Sequence, residues 1–117
     1  MNKIGIIYNR PWGNYRTIEQ NDNYQLKKIC VHPNKRLSLQ LHYHRDEHWT
    51  IIKGFPLVQV GDEIKEMKVN DYVFIPKETK HRITNNTNEQ IEFIEIQIGD
   101  YLGEDDIVRL EDDFGRN

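Results

Sequence analysis

The stretch Leu37 to Gly54, LSLQLHYHRDEHWTIIKG, decides the fold. In its first half, leucines at 37, 39 and 41 alternate with serine, glutamine and two histidines at 38, 40, 42 and 44. Because successive side chains of a strand point to opposite faces, this alternation predicts one strand with an apolar face and a polar face. His42 and His44 are therefore expected to point the same way, with Gln40 beside them.

The same stretch carries a candidate metal site. Two imidazoles two positions apart on a strand lie close enough to share a metal ion. Glu47 and His48 follow at once, so three imidazoles and a carboxylate fall within seven residues. The alternative interpretation is a group of exposed histidines on a loop. We predict the metal site.

The composition predicts one small β domain spanning residues 1–117. The net charge is −3 with acidic and basic residues interspersed, which excludes a nucleic-acid or anionic-membrane surface. A single cysteine, Cys30, excludes an intramolecular disulfide and fits a reducing compartment. There is no membrane-length apolar run and no signal-peptide pattern, so we expect a cytoplasmic protein. The absence of alanine disfavours long helices.

About ten short β-prone segments with turn residues between them predict an all-β sandwich or small barrel. The first expected strand is Lys3 to Tyr8, and the longest is Gln90 to Ile98. The tail differs, because Ile107, Leu110 and Phe114 fall on one helical face after an acidic first turn. We therefore expect a short C-terminal helix docked on the barrel.

Two stretches of the chain resemble the conserved motifs of the cupins, whose fold is a double-stranded β-helix, or jelly-roll barrel. The matching positions are His42, His44, Glu47 and Gly54 in the first stretch, and Pro76, His81 and Asn85 in the second. The family usually has glycine where this chain has Asn70 and Glu78. The resemblance implies a metal site formed by His42, His44, Glu47 and His81.

The gap between the second histidine and the glutamate is shorter than in most cupins. Counted back from Gly54, the acidic ligand is Glu47, whereas counted forward from His44 it could be His48. A tight turn or bulge at Arg45-Asp46 would direct Glu47 inward. We prefer Glu47 and keep His48 as a residue at the mouth of the site or an alternative ligand.

A narrower resemblance covers almost the whole chain. Several short blocks, in the right order, are similar to the type II mannose-6-phosphate isomerase domain, which usually follows a mannose-1-phosphate guanylyltransferase domain in a bifunctional enzyme. The blocks include RPWG at 10–13, RLSLQ at 36–40, HRDEHW at 44–49, HR at 81–82 and YLGEDDI at 101–107. The resemblance implies an isomerase of GDP-mannose biosynthesis. No guanylyltransferase sequence precedes the domain here, so we expect the isomerase to work with a separate guanylyltransferase.

Interconverting an aldose and a ketose phosphate moves a proton between C1 and C2, which needs an electrophile at the oxygens and a base near the proton. Mixed histidine and carboxylate ligands suit one divalent ion, Zn²⁺, Mn²⁺, Fe²⁺, Co²⁺ or Ni²⁺. The candidate bases are His48, Glu95 and a metal-bound water.

A phosphorylated sugar also needs cations and hydrogen-bonding side chains. Near the ligand positions we predict cationic contacts from Arg36, Arg45, Lys53 and Arg82, and Arg10 belongs to a matched block. For the sugar hydroxyls we predict Gln40, on the His42 face, and Gln97, with a satisfied polar residue of the barrel interior as the alternative for Gln97.

Three functions compete at this point. They are the isomerase, a non-catalytic sugar-phosphate or GDP-mannose binding module, and another metal cupin such as an oxygenase. We expect a homodimer, because Leu37, Leu39 and Leu41 should need cover from the N-terminal strand or from a second copy.

Overall fold

The computed structural model describes residues 3–117 and contains two antiparallel sheets. One sheet has the order β1-β2-β3-β10-β5-β8 and the other β11-β4-β9-β6-β7. No helix occurs among the described residues, and thus none that could cross a membrane. The strands are β1 Tyr8–Arg10, β2 Gly13–Gln20, β3 Tyr24–Val31, β4 Leu39–Leu41, β5 Arg45–Lys53, β6 Leu57–Val60, β7 Glu63–Glu66, β8 Tyr72–Ile75, β9 His81–Thr84, β10 Ile91–Gly99 and β11 Val108–Glu111.

The interior between the sheets has an apolar part and a polar part, and single strands contribute to both. On β10, Ile91 and Phe93 are fully buried in the core, and the next two residues of the same face are Glu95 and Gln97, also buried. On β5 the order is reversed: the buried residues at the start of the strand, Arg45 and Glu47, are charged, and those that follow are apolar. Alternation along paired antiparallel strands thus gathers the polar residues at one end of the interior.

The predicted strands are largely confirmed, since β2 and β3 form the expected hairpin and β6 to β10 occupy the expected segments. The strand predicted across 37–44 is wrong, because only Leu39–Leu41 pairs as β4. Both Leu37 and Ser38 line the inner cavity, so the leucines do not form one outer face. The strand expected from Lys3 is also wrong, because pairing begins at Tyr8 apart from one bridge at Ile4.

The predicted C-terminal helix is wrong. Val108 to Glu111 form β11, which pairs antiparallel with β4 at the edge of the second sheet. Without β11, the backbone N–H and C=O groups along one side of β4 would be unpaired, and they offer hydrogen bonds to residues 108–111. Three apolar residues at helical spacing stabilise a helix too little to compete with this pairing. Phe114 packs against the core beyond the strand.

Asn70 and Glu78, the two positions where the cupin pattern has glycine, both have a left-handed backbone. Their φ angles are 79° and 63°. Glycine adopts this region without the Cβ clash that other residues meet there, so the usual glycines have a conformational reason. Asparagine tolerates the conformation well and glutamate less so.

Candidate metal centre and active-site cavity

Three buried side chains converge at the polar end of the interior. His42, Glu47 and His81 each offer one ligand atom, and these atoms all lie within 4.8 Å of one another. Nε2 of His42 lies 3.1 Å from Oε2 of Glu47, and Nε2 of His81 lies 3.7 Å from Oε1. We call these three residues the triad.

Both histidines of the triad are oriented by main-chain carbonyl groups. Nδ1 of His42 lies 2.7 Å from the carbonyl oxygen of Asp106, and Nδ1 of His81 lies 2.9 Å from that of Thr79. A carbonyl only accepts, so Nδ1 donates in each ring and Nε2 is the atom turned towards Glu47. Burial lowers the pKa of His81, which favours its neutral form. This orientation is typical of metal-binding imidazoles, and the residues therefore fit a divalent ion.

Glu47 is held in its ionised form by its neighbours. Burial alone would raise its pKa, but the Arg45 guanidinium and the hydrogen bond with His42 hold that pKa well below the ordinary value. Arg45 donates from Nε to Glu47 at 3.0 Å, and its Nη2 lies 3.3 Å from Nε2 of His42. Its Nη1 is buried without a hydrogen-bond partner among the described residues. Arg45 thus neutralises the charge of Glu47, and its Nη1 can still donate a hydrogen bond to a ligand.

A second buried carboxyl group, Glu95, lies beside the triad. The indole Nε1 of Trp49 donates to Oε1 of Glu47 and to Oε1 of Glu95, at 3.0 Å each. Gln97 donates to the other oxygen of Glu95 at 2.8 Å and accepts from Gln25 at 3.0 Å. Burial, and then the charge of Glu47, raises the pKa of Glu95 well above its ordinary value. Its environment therefore differs from that of Glu47, as is typical of a pair with separate roles.

These side chains line one cavity of about 170 Å³. Of the residues predicted for the site, the structure brings His42, Glu47, His81, Arg45, Gln40, Glu95 and Gln97 together there. The expected inward turn before Glu47 is present, although the bend lies at residues 43–44 rather than at 45–46.

His44 is not part of this group, which corrects its prediction as a ligand. The strand ends at Leu41, and Asp106 accepts hydrogen bonds from the backbone N–H groups of Tyr43 and His44, at 2.9 and 3.0 Å. This bend breaks the alternation on which the prediction depended. The His44 side chain is 54% exposed and lies 3.8 Å from Asp100.

His48 is also outside the cavity, which corrects its prediction as a base or alternative ligand. On β5 the residues before and after it, Glu47 and Trp49, are buried inside, so His48 points to the outer face. Its Nδ1 lies 2.6 Å from the hydroxyl of Tyr72, and its ring packs against Phe74.

Of the four cations predicted from their sequence neighbours, Arg45 lies in the cavity, and the other three contact groups outside it, which corrects their prediction as phosphate contacts. Arg36 forms two hydrogen bonds to Asp113, and Lys53 lies on the outer face near Glu92. Arg82 donates to the carbonyl oxygen of Leu37 and to Glu111. Arg36 and Arg82 line a separate groove on the second sheet.

Sequence reasoning missed several residues of the candidate site because their partners are distant in the chain. Lys27, Arg109 and Arg116 line the cavity, although Lys27 looks like an ordinary strand lysine and the two arginines belong to the tail predicted as a helix. Asp106, which fixes the bend at residues 43–44, lies in a matched block, and that match was the only available signal.

Comparison with solved structures agrees with the fold. A Klebsiella pneumoniae protein with a double-stranded β-helix domain superposes with a TM-score of 0.76, at 16% identity, and covers 89% of each chain. Bacillus subtilis oxalate decarboxylase OxdC gives 0.78 at 19% identity, over 90% of this chain and 30% of that one. These likenesses establish the cupin-type fold alone.

Sequence comparison gives the family. The chain is 47% identical to the xanthan biosynthesis protein XanB of Xanthomonas campestris over 107 residues, which is 92% of this chain and 23% of that protein. It is 45% identical to the alginate biosynthesis protein AlgA of Pseudomonas aeruginosa, over 92% of this chain and 22% of that protein. The chain thus spans less than a quarter of these relatives. The family model described as mannose-6-phosphate isomerase C-terminal matches residues 3–112, and the chain belongs to this family.

Proposed function

We propose that the chain is a metal-dependent aldose–ketose isomerase that interconverts mannose 6-phosphate and fructose 6-phosphate. The observation that carries this proposal is the pairing, in one cavity, of a metal-binding triad with a separate buried carboxyl group, Glu95. Membership of the mannose-6-phosphate isomerase C-terminal family supports the choice of substrate.

His42, Glu47 and His81 would hold one divalent ion through Nε2, a carboxylate oxygen and Nε2. The set of two imidazoles and one carboxylate suits Zn²⁺, Mn²⁺, Fe²⁺, Co²⁺ or Ni²⁺ and leaves positions open for other oxygen ligands. When bound, such an ion supplies a Lewis acid for the oxygens at C1 and C2 of the sugar.

Glu95 would transfer the proton. In its ionised form, which its raised pKa makes more basic, the Glu95 carboxylate takes the proton from C2 of the aldose; the electron pair of the C2–H bond forms the C1=C2 bond, and the π pair of the C1 carbonyl moves to O1 to give the enediolate. Glu95 then returns the proton to C1 while the O2 proton moves to O1, which gives the ketose. Trp49 and Gln97 hold both carboxyl oxygens of Glu95 and so orient it for this transfer.

Three further side chains would bind the sugar. Arg45 offers its unpartnered Nη1 to a substrate oxygen, and its planar guanidinium suits such a contact. Gln40 and Gln97 line the same cavity and suit the sugar hydroxyls. We further propose that the protein acts in the cytoplasm together with a mannose-1-phosphate guanylyltransferase.

A coupled assay tests the proposal. Formation of fructose 6-phosphate from mannose 6-phosphate is followed with metal-stripped protein and with the same protein after each of the five divalent ions is restored. We expect no activity after stripping and recovery with at least one ion. Glu95→Gln should lose about 10²- to 10⁴-fold in turnover, the usual contribution of a general base, while it still binds metal.

A matched control separates chemistry from folding. Glu92→Gln changes a glutamate of the same strand that faces outward, and its turnover should equal that of the wild type. Metal binding without isomerisation under any of the ions would contradict the proposal and would favour the non-catalytic binding module.

A further inference from the structure

Four cationic side chains line the cavity apart from the triad and Arg45. They come from four separate parts of the chain: Arg10 from β1, Lys27 from β3, Arg109 from β11 and Arg116 from the tail. The chain as a whole has a net charge of −3, so composition does not explain this local concentration of positive charge. A site with several converging cations favours an anionic ligand.

Two of these cations are neutralised and held in place by carboxylates. Lys27 lies 2.6 Å from Glu104, and Arg116 forms paired hydrogen bonds with Asp112 at 2.7 and 3.0 Å. These carboxylates are supplied by the segment after β10, which therefore positions part of the cationic lining.

Neither of the other two forms a close ion pair with a carboxylate within the described part of the chain, although Asp112 and Glu104 act on Arg109 through their charge. Arg10 donates to the carbonyl oxygen of Asn9 and to the hydroxyl of Tyr15, and its guanidinium lies over the Tyr15 ring. Nε of Arg109 is buried with no hydrogen-bond partner among residues 3–117. A buried donor without a protein partner is costly, so Nε of Arg109 is a donor that an anionic ligand can use.

Arg109 is also close to another guanidinium. Burial and then the positive charge of Arg116 lower the pKa of Arg109, and the charges of Asp112 and Glu104 offset this only in part. Two like charges held together at a half-buried site repel one another, and an anion that accepts hydrogen bonds from Arg109 would relieve both the repulsion and the missing partner.

The register of the second sheet fixes where Arg109 lies relative to the triad. Arg109 is opposite Gln40 on β4, and Gln40 is opposite His81 on β9. Directly opposed residues share a face, so the three form one row on the inner side. Two strand spacings place Arg109 roughly 10 Å from His81. A hexose with C1 and C2 at the triad would direct its C6 end towards such a position.

We propose that Arg109 and Arg10, supported by Lys27 and Arg116, form the subsite for the phosphate monoester of the substrate. This inference rests on the proposed function for the identity of the sugar. It assigns phosphate recognition to the β11 side of the cavity. Arg36, Lys53 and Arg82 have no part in it.

The test measures binding without turnover. Trp12 and Trp49, the two tryptophans of the chain, both line the cavity, so their fluorescence reports on ligands. Metal-free protein is titrated with inorganic phosphate, which removes any contact between phosphate and a metal ion. Metal-loaded protein is titrated with mannose 6-phosphate and with mannose.

Arg109→Gln should weaken binding of inorganic phosphate and of mannose 6-phosphate by about 10- to 100-fold, as expected for a lost charge-assisted hydrogen bond. Binding of mannose should be unchanged. Arg10→Gln, at an exposed position, should show the same pattern with a smaller loss and guards against misfolding of the first variant. The matched control is Arg16→Gln, an exposed arginine on β2 that does not line the cavity, and it should bind like the wild type.

Wild-type affinity for inorganic phosphate in both Arg109→Gln and Arg10→Gln would overturn the subsite. The outcome for the isomerase proposal is separate. If the wild type turns over mannose 6-phosphate and neither variant changes the KM, the function stands and the subsite is wrong. If phosphate binding depends on Arg109 but no isomerisation occurs, the subsite stands and the function is wrong.

Discussion

Asp106 joins two distant parts of the chain at the candidate metal centre. The residue is 7% exposed, and its two carboxylate oxygens accept hydrogen bonds from the backbone N–H groups of Tyr43 and His44 at 2.9 and 3.0 Å. Its own carbonyl oxygen orients His42 at 2.7 Å. The residue therefore fixes the bend that separates an inward His42 from an outward His44.

Replacing Asp106 with alanine removes both side-chain hydrogen bonds and leaves two amides without their acceptor. Hydrogen bonds to a charged group contribute about 1.5–3 kcal/mol each. Because the side chains at 43 and 44 are exposed, water can replace part of this interaction, and we expect a loss of about 3 kcal/mol in the free energy of unfolding. For a chain of this size the melting temperature should fall by about 10 °C.

Metal binding should weaken as well, although Asp106→Ala removes no ligand. The carbonyl oxygen that orients His42 stays in the main chain, but the segment that carries it loses its attachment to the bend. Changes in partners of this kind typically cost 10- to 100-fold in metal affinity. Co²⁺ is the suitable probe, because its visible absorption reports both affinity and coordination geometry.

Thermal unfolding of the metal-free protein and Co²⁺ titration of the folded protein are the two measurements. Asp100→Ala is the matched control, since this exposed aspartate begins the same segment and, among residues 3–117, its one ion pair is the 3.8 Å contact with His44. A variant Asp106→Ala that unfolds within about 1 kcal/mol of the wild type and binds Co²⁺ equally well would refute the reasoning.

Three further predictions concern individual residues and assembly. His44→Ala should keep full metal occupancy in elemental analysis, whereas His81→Ala should lose it; metal loss in His44→Ala would show that this histidine is a ligand after all. Asp112 has a folded-state pKa of about 2, lowered mainly by its hydrogen bond with Arg116. The native state therefore binds fewer protons at this site than the unfolded chain. The resulting stabilisation is present above about pH 4 and is lost as the pH falls towards 2. Asp112→Asn should therefore destabilise the protein by about 1–2 kcal/mol at pH 7 and by much less at pH 2.5, as measured by denaturant unfolding at both pH values. If the variant loses the same free energy of unfolding relative to the wild type at both pH values, the assignment is wrong. We propose a homodimer in which the apolar residues of segment 3–7, which are exposed, contribute to the interface; deletion of residues 1–8 should halve the mass in solution, and a wild type that is monomeric at high concentration would contradict this.

Much of the fold could be predicted from the sequence, because the relevant signals are local. Alternation and turn residues placed β2, β3 and β6 to β10, and the motif spacing indicated the cupin family. The alternation of β5 and β10 likewise predicts that Glu47, Glu95 and Gln97 share an inner face once the strands pair. Periodicity is reliable wherever the strand it describes is paired along its length.

Only the tertiary structure decided which way the side chains at the strand ends point and which cations remain available. His42 and His44 have the same local pattern, but a carboxylate more than sixty residues away bends the chain between them. Arg82 follows His81 of the triad in sequence yet is bound by Glu111, whereas Arg109 has no sequence signal and lies opposite Gln40 because β11 pairs with β4. Local sequence fixes the period of a segment, but the end of a strand and the partner of a charge depend on residues far along the chain, which only folding brings into contact.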